Sequence, residues 1–153
     1  MLDLNDIINQ AVDNCLANHR EKVSIKTSLS EDIGRIEGDR MHITNIFYNL
    51  LDNAVKYAGE TPEILIKTQK TASKIQVTIS DNGPGIGRVH QKRVFQKFYR
   101  IPTANVHDVK GFGLGLFYVK SICDAHHWKI SLDPSPSSGT TFKLEINQKP
   151  LNG

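Results

Sequence analysis

No stretch of this chain approaches the roughly 18–20 consecutive apolar residues that a membrane-spanning helix needs. The opening MLDLNDIINQ lacks both the basic flank and the continuous apolar stretch of a secretory leader. Cysteine is scarce. Cys15 and Cys123 stand far apart and form no metal-ligand spacing, so they read as reduced, mostly buried thiols of a cytosolic protein. Charge of one sign is equally scarce: the net charge is +3, too weak to argue for nucleic acid as a partner. There is no internal repeat, no low-complexity tract, and no glycine loop ending in the Gly-Lys-Ser/Thr of a Walker A phosphate loop.

What remains is an ordinary globular composition. The chain has 153 residues, 39% hydrophobic and 23% charged, which suits one domain with a real core. Leu4, Ile7, Ile8, Ala11, Val12, Cys15 and Leu16 recur at helical spacing and predict a helix over residues 3–19. Residues 23–29 alternate as a strand, with Val23, Ile25 and Leu29 on one side, and a short strand is expected at Gly34–Glu37. A second helix is predicted from Asp39, as N-cap, to Ala58, with Gly59 as its stop. Glu63–Thr68 and Lys74–Ser80 read as a hairpin. The segment 81–88 (DNGPGIGR) is a loop, residues 89–98 a short helix, and 101–112 a long loop of the kind that carries function. A helix at 113–126, a strand at Lys129–Leu132, a turn at 134–139 and a strand at Thr140–Ile146 complete the chain. This order predicts an α+β two-layer sandwich: a mixed, mostly antiparallel sheet with about three helices on one face. Strand pairs joined by short turns exclude an all-parallel sheet.

The second helix carries an unusual stripe. With Asn45 at zero and about 100° per residue, Asn49 falls near 40°, Asn53 near 80° and Lys56 near 20°. Ile43, Ile46, Phe47, Leu50, Leu51 and Ala54 fill the opposite side. Asparagine is a poor helix-interior residue, because its side chain competes for backbone hydrogen bonds. Three at i, i+4 and i+8 are either an exposed polar face or a ligand-facing stripe. In the second case carboxamide oxygens suit a hard cation such as Mg²⁺, and Lys56 suits a phosphate. His42 shares the stripe without an assigned role.

Two glycine loops add to this. DNGPGIG (81–87) follows a strand, and its glycines permit positive φ and close backbone approach to a ligand. Asp81 there can accept a hydrogen bond from an exocyclic amine. GFGLGL (111–116) opens a helix, where free N–H groups and the helix dipole favour phosphate. Between them Arg88, Lys92, Arg93, Lys97, Arg100 and Lys110 form a basic segment, which taken alone could be a solvated face.

Five segments in order then resemble the catalytic and ATP-binding domain of sensor histidine kinases, with the Bergerat-type ATP fold shared by gyrase and MutL. NIFYNLLDNAVKYA resembles the family's N box and DNGPGI its G1 box. VFQKFYR resembles the F box, GFGLGL the G2 box, and SSGTTF the final glycine-threonine box. The resemblance covers nearly the whole chain, 1–153, as a single catalytic domain. It implies that Asn53, with Asn49, holds Mg²⁺ against the phosphates of ATP, that Lys56 reaches a phosphate, and that Tyr57 lines the adenine pocket. It implies that Asp81 accepts the adenine amine, that Gly83, Gly85 and Ile86 shape the pocket, and that Thr141 supports it. Phe95 and Phe98 would anchor an ATP lid at about 99–112. Arg100 and Lys110 would approach the phosphates, and Gly111, Gly113, Leu114, Gly115 and Leu116 would set the second glycine loop against them. Gly87 departs from the family's usual proline, and Lys97 interrupts a segment that is commonly acidic or neutral.

The resemblance further implies transfer of the γ-phosphate to a histidine on a separate dimerisation domain, for onward transfer to a response regulator. It implies a cytoplasmic domain of a membrane-bound bacterial sensor, without direct membrane or nucleic-acid contact of its own. None of the six histidines here precedes an acid in the family's acceptor context. His107-Asp is the nearest and lies in the lid. The expectation is therefore a piece that follows the dimerisation domain, binding ATP without phosphorylating itself. ATP-hydrolysing relatives place a glutamate one turn before the metal-binding asparagine as general base. Asn49 stands there and cannot take a proton, which disfavours hydrolysis. A non-catalytic or serine-kinase-type regulator with the same pocket is the remaining alternative.

Overall fold

A computed structural model describes residues 2–19, 23–58, 61–97, 99, 115–133 and 139–148. Helix α1 (Leu4–Asn18) begins at Asp3, whose carboxylate accepts from the Asp6 N–H at 3.2 Å. This satisfies one of the free donors of the first turn. Its apolar positions Leu4, Ile7, Ile8, Ala11, Val12 and Cys15 are all buried. Helix α2 (Arg40–Tyr57) is capped in the same way by Asp39, which accepts from the His42 N–H at 3.1 Å. Ile43, Ile46, Phe47, Leu50, Leu51 and Ala54 on α2 are at most 2% exposed. Two polar links hold α1 beside α2: Arg40 bonds Asp6 and Gln10, each at 2.9 Å, and Asn18 donates to the Tyr48 hydroxyl at 3.1 Å.

The sheet contains β2 (Ser24–Ser28), β4 (Glu63–Lys70), β5 (Lys74–Asp81), β6 (Lys129–Leu132) and β7 (Thr141–Asn147), in the order β2-β4-β5-β7-β6. Only β2 and β4 pair in parallel; the other three pairings are antiparallel. The strands alternate as half-buried strands should. Ile64 and Ile66, then Ile75, Val77 and Ile79, then Phe142, Leu144 and Ile146 turn inward. They form one core with α1, α2 and α4 (Gly115–Ala125). Deleting a side chain at its centre, as in Phe47→Ala, is expected to destabilise by about 3–5 kcal/mol, read from urea denaturation.

The α+β sandwich and the mixed, mostly antiparallel sheet are as the sequence predicts, with small corrections. Four helices are described, and one of them is a single turn: α3 (Arg88–Gln91) stands where a helix over 89–98 is expected. Beyond Gln91 the chain tightens: Arg93 and Val94 N–H both reach the His90 carbonyl, then Gln96 bonds Arg93 and Tyr99 bonds Gln96 in three-residue turns. These let Val94 bury and Phe95 reach Phe142 edge-on, at 6.1 Å between ring centres. A continuing helix has no such freedom. A second, two-stranded sheet pairs β1 (Leu2–Asp3) with β3 (Arg35–Ile36), using residues just ahead of α1. Helix α2 ends at Tyr57 with Ala58 as its C-cap. The proposed stop at Gly59, the loop 101–112, and residues 113–114 of the last predicted helix lie outside the described residues.

Candidate functional site

Strand β5 places a carboxylate where its alternation calls for an apolar residue. Ile75, Val77, Ile79 and Asp81 share the inward row, and Asp81 is only 9% exposed. A buried charge needs partners. Oδ1 of Asp81 accepts from the Gly83 N–H at 2.8 Å and the Thr140 N–H at 3.2 Å, while its own N–H donates to the Thr140 carbonyl at 2.9 Å. Both donors fall on one oxygen, and Oδ2 has no partner among the described residues. Burial raises the Asp81 carboxyl above the usual range, and the two amide hydrogen bonds work against that rise by favouring the ionised form. The result is a fixed acceptor aimed from the end of a strand.

The surroundings of Asp81 have been stripped of side chains. At Gly139, φ is +75° and an added Cβ would sit 1.8 Å from the Asp81 carbonyl oxygen. At Gly85, φ is +83° and a Cβ would sit 3.0 Å from the Gly139 carbonyl oxygen. The first glycine loop and the entry to β7 therefore lie directly on one another, backbone to backbone. Thr141 reinforces the next rung through its hydroxyl, 3.0 Å from that of Ser80. The loop is tied at both ends. Asn82 accepts from the Glu63 N–H at 2.9 Å and donates to the Thr61 carbonyl, and Gln91 donates to the Ile86 carbonyl at 2.9 Å. Ile86 packs against the core.

Helix α2 packs on β5. Asn45, Asn49 and Asn53 are half-buried beside its apolar row. Asn49 spends its amide nitrogen on the Asn45 carbonyl at 2.8 Å. Its Oδ1 faces Gly115, the first residue of α4, where an added Cβ would lie 3.1 Å away. Asn53, one turn on, has no hydrogen-bond partner among the described residues. Leu116 packs against the core. Lys56, on the same helix, pairs its ammonium with Asp52 at 2.9 Å. Phe95 packs edge-on against Phe142. The Tyr99 hydroxyl hydrogen-bonds the His90 ring, and Lys97 sits 5.8 Å over the Phe117 ring. Phe98, Arg100, Lys110, Gly111, Gly113, Leu114 and the side chain of Tyr57 lie outside the described residues.

The structure thus brings Asp81, Gly83, Gly85, Ile86 and Thr141 together at one end of β5, and Asn49, Asn53 and Gly115 on α2 and α4. Sequence reasoning passed over two residues. Thr140, buried, is the direct backbone partner of Asp81, and Gly139 permits the approach. A Gly-Thr pair opening a strand was the available signal. No cluster of three His, Cys, Asp or Glu suited to a metal occurs among the described residues. The oxygens near α4 are neutral carboxamides. They fit Mg²⁺, which tolerates few protein ligands when phosphates and water complete its shell.

The profile described as histidine kinase-, DNA gyrase B- and HSP90-like ATPase matches residues 38–150. Sensor protein RprX of Bacteroides fragilis is 41% identical over 148 residues, covering 95% of this chain and 28% of that protein. Sensor-like histidine kinase SenX3 of Mycolicibacterium smegmatis is 31% identical over 150 residues, covering 97% of this chain and 39% of that protein. The chain therefore spans well under half the length of these relatives. The solved catalytic domain of histidine kinase ThkA superposes with a TM-score of 0.82 at 26% identity, covering 97% of each chain. ThkA has also been solved in complex with the response regulator protein TrrA, where the match covers 41% of the kinase chain. The chain belongs to the histidine kinase-, DNA gyrase B- and HSP90-like ATPase family, as an ATP-binding domain of the sensor histidine kinase type.

Proposed function

We propose that this chain, over its whole length, binds Mg·ATP and donates the γ-phosphate to a histidine on a separate dimerisation domain of a two-component sensor kinase. That domain would pass the phosphoryl group to a response regulator, and the parent would be a membrane-bound sensor with this domain on its cytoplasmic side. The observation that carries the nucleotide reading is Asp81: a buried carboxylate with one oxygen fixed by two amides and the other open. Such an acceptor selects the exocyclic amine of adenine. Gly83, Gly85 and Ile86 would flank the base, with Tyr57 beside it and Thr141 behind.

Phosphoryl transfer needs positioning and charge stabilisation more than covalent chemistry from the protein. Asn49 and Asn53 would hold Mg²⁺, which supplies charge neutralisation at the phosphates. Lys56, Arg100 and Lys110 would meet the phosphates from the side chains. Gly111, Gly113, Leu114, Gly115 and Leu116 would do so from the backbone, and the lid near 99–112 would be held by Phe95 and Phe98. Transfer rather than hydrolysis is favoured because Asn49 occupies the general-base position and already donates its amide to the Asn45 carbonyl.

The described histidines make poor acceptors. His19 lies 3.7 Å from Asp52, His90 bonds Tyr99, His126 bonds the Ile122 carbonyl, and His127 sits in a left-handed turn at φ 59°. His42 packs edge-on to Tyr118. The direct test is calorimetry with ATP, with and without Mg²⁺, followed by labelling of an added dimerisation domain with γ-³²P-ATP. Binding with label on the added domain alone is the expected result. Stable phosphohistidine on this chain would sink the proposal, and binding without any histidine label would favour a non-catalytic regulator.

Asn53→Ala should weaken binding about tenfold in Mg²⁺ and little in EDTA, since one metal ligand is removed. An equal loss in both buffers would take Asn53 out of the metal's shell.

A further inference from the structure

Lys56 has two neighbours one helical turn back on α2. Residue 52 lies about 40° to one side of it and residue 53 about 60° to the other. Asn53 belongs to the carboxamide stripe assigned above to Mg²⁺ and phosphate. Asp52, on the other side of Lys56, lies about 20° from Asn45 at the edge of that stripe and reaches toward α1. His19, at the C-terminal cap of α1, comes within 3.7 Å of one Asp52 oxygen, while Lys56 holds the other at 2.9 Å. The charge of Asp52 is felt on α1 a second way: burial, joined by that charge, pushes the Cys15 thiol up to about 11. The Asn18–Tyr48 hydrogen bond fixes this end of α1 against α2, so the three groups are held in place rather than meeting by chance. The cation nearest the metal stripe is thus held at rest by a carboxylate.

We infer that Asp52 withholds Lys56 from the nucleotide and releases it only to a phosphate, so that this pair sets how strongly the site responds to phosphate as opposed to adenine. The inference rests on the ATP reading of the site. Both partners are about a third exposed, at 34% and 28% of their side chains, so the pair is a weak surface one. A strong buried pair would silence Lys56, whereas a pair of this strength is exchanged readily for the more highly charged, charge-assisted bond to a phosphate. When Lys56 leaves, His19 remains beside Asp52, 3.7 Å away.

The test compares ATP and adenosine, each in the presence of Mg²⁺, on wild type, Asp52→Asn, Lys56→Ala and the double variant. Asp52→Asn is expected to tighten ATP binding about two- to threefold, the factor expected for losing one i,i+4 ion pair. Adenosine affinity should not change. In the Lys56→Ala background most of that gain should vanish, and raising salt should shrink it in the wild-type background. Far-UV circular dichroism of Asp52→Asn should match wild type, since only exposed pairs are lost. ATP affinity that is unchanged or weaker in Asp52→Asn, or an equal gain in the Lys56→Ala background, would overturn the inference while leaving the ATP reading intact. Failure of every variant to bind ATP would overturn that reading and this inference together.

Discussion

Asp81→Asn should leave the domain folded and deprive it of ATP. The two side chains are nearly the same shape, and the carboxamide oxygen can still accept from the Gly83 and Thr140 N–H groups. What changes is the other end, where an amide NH₂ replaces the open Oδ2 and two donors, its own and adenine's, then face each other. A hydrogen bond to a charged acceptor is worth about 1.5–3 kcal/mol, and buried donors left unpaired add to the loss. Affinity should fall at least about 100-fold, measured by calorimetry. Stability should move the other way. Burial raises the folded-state pKa of Asp81, so between the unfolded and folded values the folded state binds more protons, and stability from this group falls as pH rises through that window. Above that window the wild type carries the penalty and the Asn variant does not. Its melting temperature should therefore be no lower at pH 7, and any gap between the two should close on acidification. Asp81→Ala should abolish binding too, but it strands two amides and confuses binding with folding. An Asn variant with wild-type affinity would remove Asp81 from adenine recognition.

Gly139→Ala is expected to have the largest effect on the fold. The added carbon would overlap the Asp81 carbonyl oxygen at 1.8 Å and lie 2.8 Å from its carbon. Those are backbone atoms, so no rotamer change relieves the clash, and the φ of +75° adds strain of its own. Relief requires parting β5 from β7 where Asp81 is held. A loss of at least about 3 kcal/mol is expected in urea denaturation, with ATP binding lost even in the folded fraction. Gly87→Ala is the internal control. A Cβ there meets nothing closer than His90 at 3.8 Å, and φ is −60°. Its stability should stay within about 0.5 kcal/mol of wild type. Equal effects at the two positions would mean that backbone approach at Gly139 is not what holds the site.

These two residues show what could be read from the chain and what could not. Asp81 was visible, because an acid ending an apolar strand and opening a glycine loop is a local pattern. The α2 stripe was visible for the same reason, since 3.6-residue spacing alone separates Asn49 and Asn53 from Phe47 and Leu50. Gly139 is legible only as part of a turn and of the glycine-threonine box, with no partner assigned to it. Its role depends on a contact with Asp81, 58 positions away, made by strand pairing that no local pattern specifies. The β1–β3 pair is two residues long and too short for any period to register. The contraction of the helix over 89–98 to Arg88–Gln91 follows from where Phe95 must go, and that is set by Phe142 on a distant strand. The Asp52–Lys56 pair was legible from its i,i+4 spacing. Reading Lys56 only as a phosphate ligand left its resting partner unconsidered.

The neutrality of the carboxamide stripe has a thermodynamic consequence. On the proposed Mg·ATP reading, Asn49 and Asn53 would offer oxygen without charge, so the protein alone would have little hold on a divalent cation, and most of the attraction would come from the nucleotide. Metal and nucleotide would then depend on each other by the same factor in both directions, because linkage between two binding free energies is reciprocal. A domain built this way would take up its cation as part of a complex, its occupancy following the supply of metal-loaded nucleotide and responding little to free Mg²⁺ when nucleotide is absent.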